Sequence, residues 1–178
     1  IIGTIGQLVS TSLAAYAFAR MNFPGRNLIF VVLLSTLMVP GQVTMIPTFI
    51  LFNALGWVNT HYPLMAPAWF GGAFGAFLIR QFFLTLRIYL PLAKPVLATL
   101  ALFTFMNYWN EFLLPVIYLT DSKKLTLTVG LSTFRQQYST LYHYLMAGTL
   151  LSIIPIFILF VLLQQYFVRG IVMSGLKG

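Results

Sequence analysis

Charge is what this sequence has least of: 7% of its 178 residues are charged, and only two of those are acids. A water-soluble domain usually carries about 25% charged residues. With 60% of the chain hydrophobic, too few charges remain to cover a surface facing water, so the surrounding medium is expected to be lipid. Cysteine is absent altogether, which excludes disulfides, thiolate chemistry and zinc–cysteine sites. No Walker A phosphate loop occurs, so the chain is not expected to hydrolyse ATP or to be an enzyme. The two histidines, His61 and His143, have no carboxylate at metal-ligand spacing, and neither a metal nor a bound cofactor is expected. The first residue is Ile1, with no initiator Met and no basic leader.

The net charge of +8 would suggest nucleic acid in a soluble protein. Here the cations are scattered between apolar runs instead of forming a basic stripe among exposed aromatics. They read as topology signals and lipid-headgroup anchors.

The apolar runs predict an all-α fold, a polytopic bundle of membrane helices in a single domain over residues 1–178. A membrane helix needs about 20 predominantly apolar residues. Five runs qualify: Ile1–Ala19, Leu28–Phe52, Leu64–Leu86, Val96–Leu119 and Tyr144–Val168. Val39-Pro40-Gly41-Gln42 interrupts the second. A membrane helix is expected to end near Val39, with Thr44–Asn53 lying as a short helix at the interface.

The connecting segments alternate between two sides. One side receives Arg20, Arg26, Arg80, Arg87, Lys94, Arg169 and Lys177. The other receives Lys123, Lys124 and Arg135 together with Asp121. The cation-rich side is expected to be cytoplasmic and to hold the C-terminus. Five spans then put Ile1 outside, and an outside start without a signal implies an upstream span.

Within the third run, Gly71 and Gly75 form a GxxxG, with Gly72 and Ala76 beside them. Small residues at this spacing let helix backbones approach in lipid, and they are expected to mark a helix–helix contact in this chain or with a partner. Pro155, inside the fifth run, is expected to kink its helix or free a carbonyl. Glu111, in Asn107-Tyr108-Trp109-Asn110-Glu111-Phe112, admits two readings. It is an intramembrane acid serving a polar path or partner contact with Asn107 and Asn110, or it lies at the outer interface beside Trp109.

Several stretches, in order, resemble the permeases of carbohydrate-uptake ATP-binding-cassette (ABC) importers of the maltose-transport type. They are Leu13-Ala14-Ala15-Tyr16-Ala17-Phe18-Ala19-Arg20, Leu37-Met38-Val39-Pro40-Gly41-Gln42, Phe77-Leu78-Ile79-Arg80-Gln81, Tyr89-Leu90-Pro91-Leu92-Ala93-Lys94, Trp109-Asn110-Glu111-Phe112, and Gln164-Gln165-Tyr166 through Gly178. The resemblance implies six spans, of which five are present here. It implies a second permease subunit, a cytoplasmic ATPase pair that uses the ATP, an extracytoplasmic solute-binding protein, and alternating access in the inner membrane. It further implies that Arg80, Gln81, Arg87, Pro91 and Lys94 flank the ATPase-docking region, and that the tail Ser174, Gly175, Leu176, Lys177, Gly178 reaches toward the ATPases. The family's coupling loop is missing where Leu86 meets Arg87, and that junction is expected to be anomalous. A secondary transporter or channel working without an ATPase, and a non-functional membrane fragment, are the alternative readings.

Overall fold

The computed structural model describes residues 1–85, 94–135 and 141–175, with the backbone alone at residue 85 and from residue 167 onward. The expected anomaly at Leu86–Arg87, together with Arg87, Pro91 and Leu176–Gly178, lies outside the described residues. Every regular element among the described residues is a helix or a 3-10 turn, so the fold is an all-α bundle.

The first helix, α1 (Ile2–Arg20), carries its only cation in its last turn, where the negative end of the helix dipole favours it. Gly25, at φ +78, restarts the chain as α2 (Arg26–Ser35). A 3-10 turn follows, and then Val39 is extended (ψ 114), the conformation that a following proline demands. The next helix, α3 (Gly41–Ala54), begins after Pro40 and runs at 96° to the α2 segment. No residue of α3 is buried and none is charged.

The third apolar run is not one continuous helix. A single turn, α4 (Tyr62–Met65), passes into the 3-10 turn Ala66–Phe70, and α5 (Ala73–Thr85) resumes after Gly71 and Gly72. Pro63 and Pro67 each remove a backbone donor, and Gly71, at φ +82, takes a conformation that L side chains disfavour. The fourth run is also divided. The helix α6 (Lys94–Asn110) stops short of Leu119, and α7 (Leu113–Tyr118) is a separate short helix. After α8 (Leu127–Ser132), the last helix, α9 (Tyr142–Gly175), extends over 34 residues with Pro155 inside it.

Among the described residues, three stretches are long and apolar enough to cross a bilayer, Ile2–Arg20, Tyr62–Leu84 and Tyr142–Tyr166, with a fourth if the bent α2–α3 pair is one span. The helices α1, α5 and α6 meet around a core of Ala15, Ile79, Val96 and Leu100. Around it, large apolar side chains such as Leu13, Leu28, Phe70 and Leu150 lie exposed. That is the inverse of a soluble protein and suits a lipid-facing surface. Across the Tyr142–Tyr166 window, α9 is unburied throughout.

Candidate functional site

The contact of α1 with α5 depends on small residues meeting a threonine. A Cβ at Gly75 would lie 2.7 Å from Thr11 Cγ2, and one at Gly72 would lie 2.7 Å from Gln7 Nε2. Ala76 is buried at 2% exposure and Thr11 at 0%. The backbone break is sealed from the same side. Gly72 N donates to Thr11 Oγ1 (3.1 Å), and Ser10 Oγ donates to the Ala68 carbonyl (3.3 Å). Irregular backbone survives in a membrane only where protein or a water-filled cavity satisfies it, and α1 meets part of that demand here. Gly72, Gly75 and Ala76 thus lie at a contact made inside this chain. Gly71 sits in the break itself, so the GxxxG does not lie along one helix.

At the opposite end of α5, Arg80 Nε donates to the Phe18 carbonyl (3.3 Å), and its guanidinium lies 4.1 Å over the Phe30 ring. One side chain thereby joins the C-terminal turn of α1, whose carbonyls lack helical partners, to α2 through a cation–π contact. Gln81 is exposed beside it, and Lys94 is exposed at the first residue of α6. Ser174 and Gly175 are the last two residues of α9. Arg26 Nη1 donates to the Met21 carbonyl and to Asn22 Oδ1, each at 3.2 Å, which folds the α1–α2 turn.

Glu111 has a local structural task. Its Oε1 accepts from Leu113 N (3.0 Å) and Leu114 N (3.2 Å). It caps α7 as an N-cap side chain would and favours the break after Asn110. Its own carbonyl accepts from Thr128 Oγ1 at 2.8 Å. Asn107 and Asn110 are exposed on α6, so the three residues are neighbours in sequence without forming one hydrogen-bonded group. Beside them, Trp109 Nε1 donates to the Ser152 carbonyl of α9 (3.0 Å), one residue past Leu151, whose carbonyl is the one that Pro155 leaves without a helical donor.

A second polar cluster ties the loop after α3 to the loop after α7. Asn59, at φ +60, donates from its backbone to the Tyr118 carbonyl (2.8 Å) and accepts Lys124 Nζ on its own carbonyl (2.8 Å). Its Oδ1 accepts from Thr120 N (3.3 Å) and Asp121 N (3.0 Å). His61 Nε2 lies 3.1 Å from the Lys124 carbonyl. Tyr118 is buried and stacks on Phe49, so the cluster also anchors α3. Among the described residues, no group of three His, Asp or Glu side chains could hold a metal ion.

Sequence reasoning missed Thr11 and Asn59. Thr11 stood in a run of small residues with nothing to separate it from its neighbours. Asn59 follows Gly56-Trp57-Val58, and asparagine is among the few non-glycine residues that tolerate positive φ, so a turn at that point was legible in principle.

Residues 81–173 match the family described as binding-protein-dependent transport system inner membrane component. The arabinooligosaccharides transport system permease protein AraQ of Halalkalibacterium halodurans is 34% identical over 198 residues, covering 100% of this chain and 71% of the relative. The sn-glycerol-3-phosphate transport system permease protein UgpE of Brucella abortus is 31% identical, covering 94% of this chain and 67% of the relative. The fold matches that of a bacterial ABC transporter involved in the import of the acidic polysaccharide alginate. There the TM-score is 0.79 at 22% identity, covering 93% of this chain and 70% of that one. This chain therefore spans about two thirds of the length of its relatives.

Proposed function

Since this chain belongs to the family of binding-protein-dependent transport system inner membrane components, we propose that it forms, with a second permease subunit, the path for a sugar or related small solute across the bacterial inner membrane. The chain is a permease component and not itself an enzyme. A cytoplasmic ATPase pair uses the ATP, a solute-binding protein delivers the solute from outside, and the path opens to one side at a time. The C-terminus lies in the cytoplasm, on the side that carries Arg20, Arg26, Arg80 and Lys94.

The observation that carries this reading is the match to AraQ along the whole of this chain joined to a bundle whose exposed surface is apolar. Sugar is favoured as the solute by the name of that relative; UgpE is named for an anion. The cation-bearing end supplies the face toward the ATPases, through Arg80, Gln81, Arg87, Pro91, Lys94 and the tail Ser174–Gly178. Arg80 makes this end mechanically continuous with α1 and α2. A displacement of α5 at the docking region would move both helices through one guanidinium.

One observation bears on competence for coupled transport. The match to AraQ runs over 198 positions against a chain of 178 residues, so at least 20 positions of the relative have no counterpart here. A lost coupling loop at Leu86–Arg87 accounts for such a difference.

The test has two arms. Purification of the tagged chain from its native membrane is expected to bring down an ATPase and a second permease, and their absence would sink the reading. Uptake of a labelled oligosaccharide into proteoliposomes holding the assembled complex is then measured with and without ATP. If Leu86 and Arg87 are contiguous in the gene, no ATP-driven uptake is expected, and observed uptake would show that coupling does not require the loop.

A further inference from the structure

Two glycines on one face of α1 each admit an aromatic ring. A Cβ at Gly3 would lie 3.3 Å from the Tyr108 ring of α6, and one at Gly6 would lie 2.7 Å from Trp69 Nε1, in the 3-10 turn before the break. Positions three apart are neighbours on a helix surface, about 5–6 Å between side-chain origins, so the two rings flank the same patch of α1. Gln7, one residue on from Gly6 and one turn on from Gly3, lies between that patch and the Gly72 break. Its amide would be 2.7 Å from a Cβ at Gly72.

Gln7 and Tyr108 are partly buried, and Trp69 is 50% exposed. Among the described residues none of the three polar ends has a hydrogen-bond partner: the Gln7 amide, the Trp69 N–H and the Tyr108 hydroxyl. Their depth makes this consequential. Gln7 lies about 20 Å along α1 from Arg20, and Tyr108 about 20 Å along α6 from Lys94. Both are then well inside a hydrocarbon layer about 30 Å thick, short of the belt where Trp and Tyr rest at the headgroups. Unpaired polar groups facing hydrocarbon are costly, whereas the same groups lining a wet path are not. A break in a spanning helix also marks the level at which transporters place their solute sites.

We propose that Gln7, Trp69 and Tyr108 form a contact surface for an uncharged, polyhydroxylated solute on the α1 side of the path. The proposal rests on the transport reading above and assigns the residues that meet the solute. Each ring rests one face on its glycine, and the opposite face suits the carbon–hydrogen face of a sugar ring. The amide, indole N–H and phenol supply both donors and acceptors for its hydroxyls. The only cation of α1 is Arg20 and the only cation of α6 is Lys94, each about 20 Å away along its helix. Arg80 is more than a turn farther along α5 from Gly75 and is engaged by Phe18 and Phe30, so an anionic solute would lack a counter-charge.

The absence of cysteine from these 178 residues allows a direct test. Single variants Gln7→Cys, Trp69→Cys and Tyr108→Cys, with Leu150→Cys as the lipid-facing control, are made in the assembled complex in native membranes. They are treated with a membrane-impermeant, water-soluble thiol reagent, with and without maltotriose or glycerol 3-phosphate. The expected result is labelling at 7, 69 and 108 but not at 150, slowed at least threefold by maltotriose and unchanged by glycerol 3-phosphate. No labelling at these three positions would overturn the proposal, as would labelling that neither solute slows. Equal protection by both solutes would overturn the assignment to uncharged solutes. Co-purification of the ATPase is scored separately in the same membranes, so a failure of the transport reading is distinguishable from a failure of this surface.

Discussion

Replacing Gly75 by alanine tests whether α1 and α5 are fitted to each other. The new Cβ would lie 2.7 Å from Thr11 Cγ2 and 3.1 Å from Leu100 Cδ1, where carbon atoms at rest sit about 3.5–4.0 Å apart. Leu100 can turn its far end aside. Thr11 cannot do so freely: it is fully buried, and rotating its methyl away would withdraw Oγ1 from Gly72 N, a bond of 3.1 Å. Overpacking of this kind costs about 1–3 kcal/mol, and a lost hydrogen bond about 1 kcal/mol. A loss of about 2 kcal/mol is expected, lowering the melting temperature in detergent by roughly 4–8 °C for a chain of this size. Thr11→Ser removes the offending methyl and keeps the acceptor. Alone it should cost about 1 kcal/mol for the cavity. Combined with Gly75→Ala, it should relieve the clash, so the pair falls short of the sum by about 1 kcal/mol. The assay is thermal unfolding of the four proteins, followed by intrinsic tryptophan fluorescence. Strict additivity, or a Gly75→Ala melt equal to that of the parent, would refute the reasoning.

The remaining expectations are local. Glu111→Ala should lower stability by about 1 kcal/mol through loss of the α7 cap, while Glu111→Gln keeps an acceptor oxygen and should melt within about 0.5 kcal/mol of the parent; thermal unfolding decides between a capping role and one that needs the charge. Arg80→Lys keeps the cation but loses the planar contact over Phe30. It should destabilise by about 1 kcal/mol and raise proteolysis at the Met21–Gly25 turn in inside-out vesicles; unchanged cleavage would count against Arg80 as the joint between helices. At Asn59, glycine restores the positive φ but not the side-chain acceptor, and alanine restores neither. Melting temperatures should therefore fall in the order Asn, Gly, Ala, and an alanine variant as stable as the glycine one would contradict the strain argument.

Helices and apolar runs were readable from hydropathy because lipid imposes one demand on every residue that faces it. Breaks in the runs were readable only in part. Val39-Pro40 announced its turn, since proline acts through its own backbone. The breaks at Gly71 and after Asn110 did not: at the first, Pro63, Pro67 and the positive φ of Gly71 interrupt the helix while Thr11 and Ser10 of α1 satisfy the freed backbone, and at the second the adjacent Glu111 carboxylate caps the next helix. Glu111 shows the limit most clearly. In sequence it is a rare acid near a span, which invites a functional reading, and only its distances to Leu113 N and Leu114 N reveal a cap. The patch formed by Gln7, Trp69 and Tyr108 was invisible for a different reason. Its members come from three elements, and what assembles them is the emptiness of Gly3 and Gly6, which hydropathy counts as nearly neutral.

The length of α9 has a consequence for where the chain ends up. A helix of 34 residues measures about 51 Å. Transmembrane helices lean by at most about 40°, and even at that slant α9 would occupy about 39 Å along the bilayer normal, against a hydrocarbon thickness of about 30 Å. About eight residues or more must therefore protrude into the headgroup layer or the water. The stretch that includes Gln164, Gln165 and Arg169 is the part with the polarity to do so, which lets this helix carry the chain past the hydrocarbon without a turn.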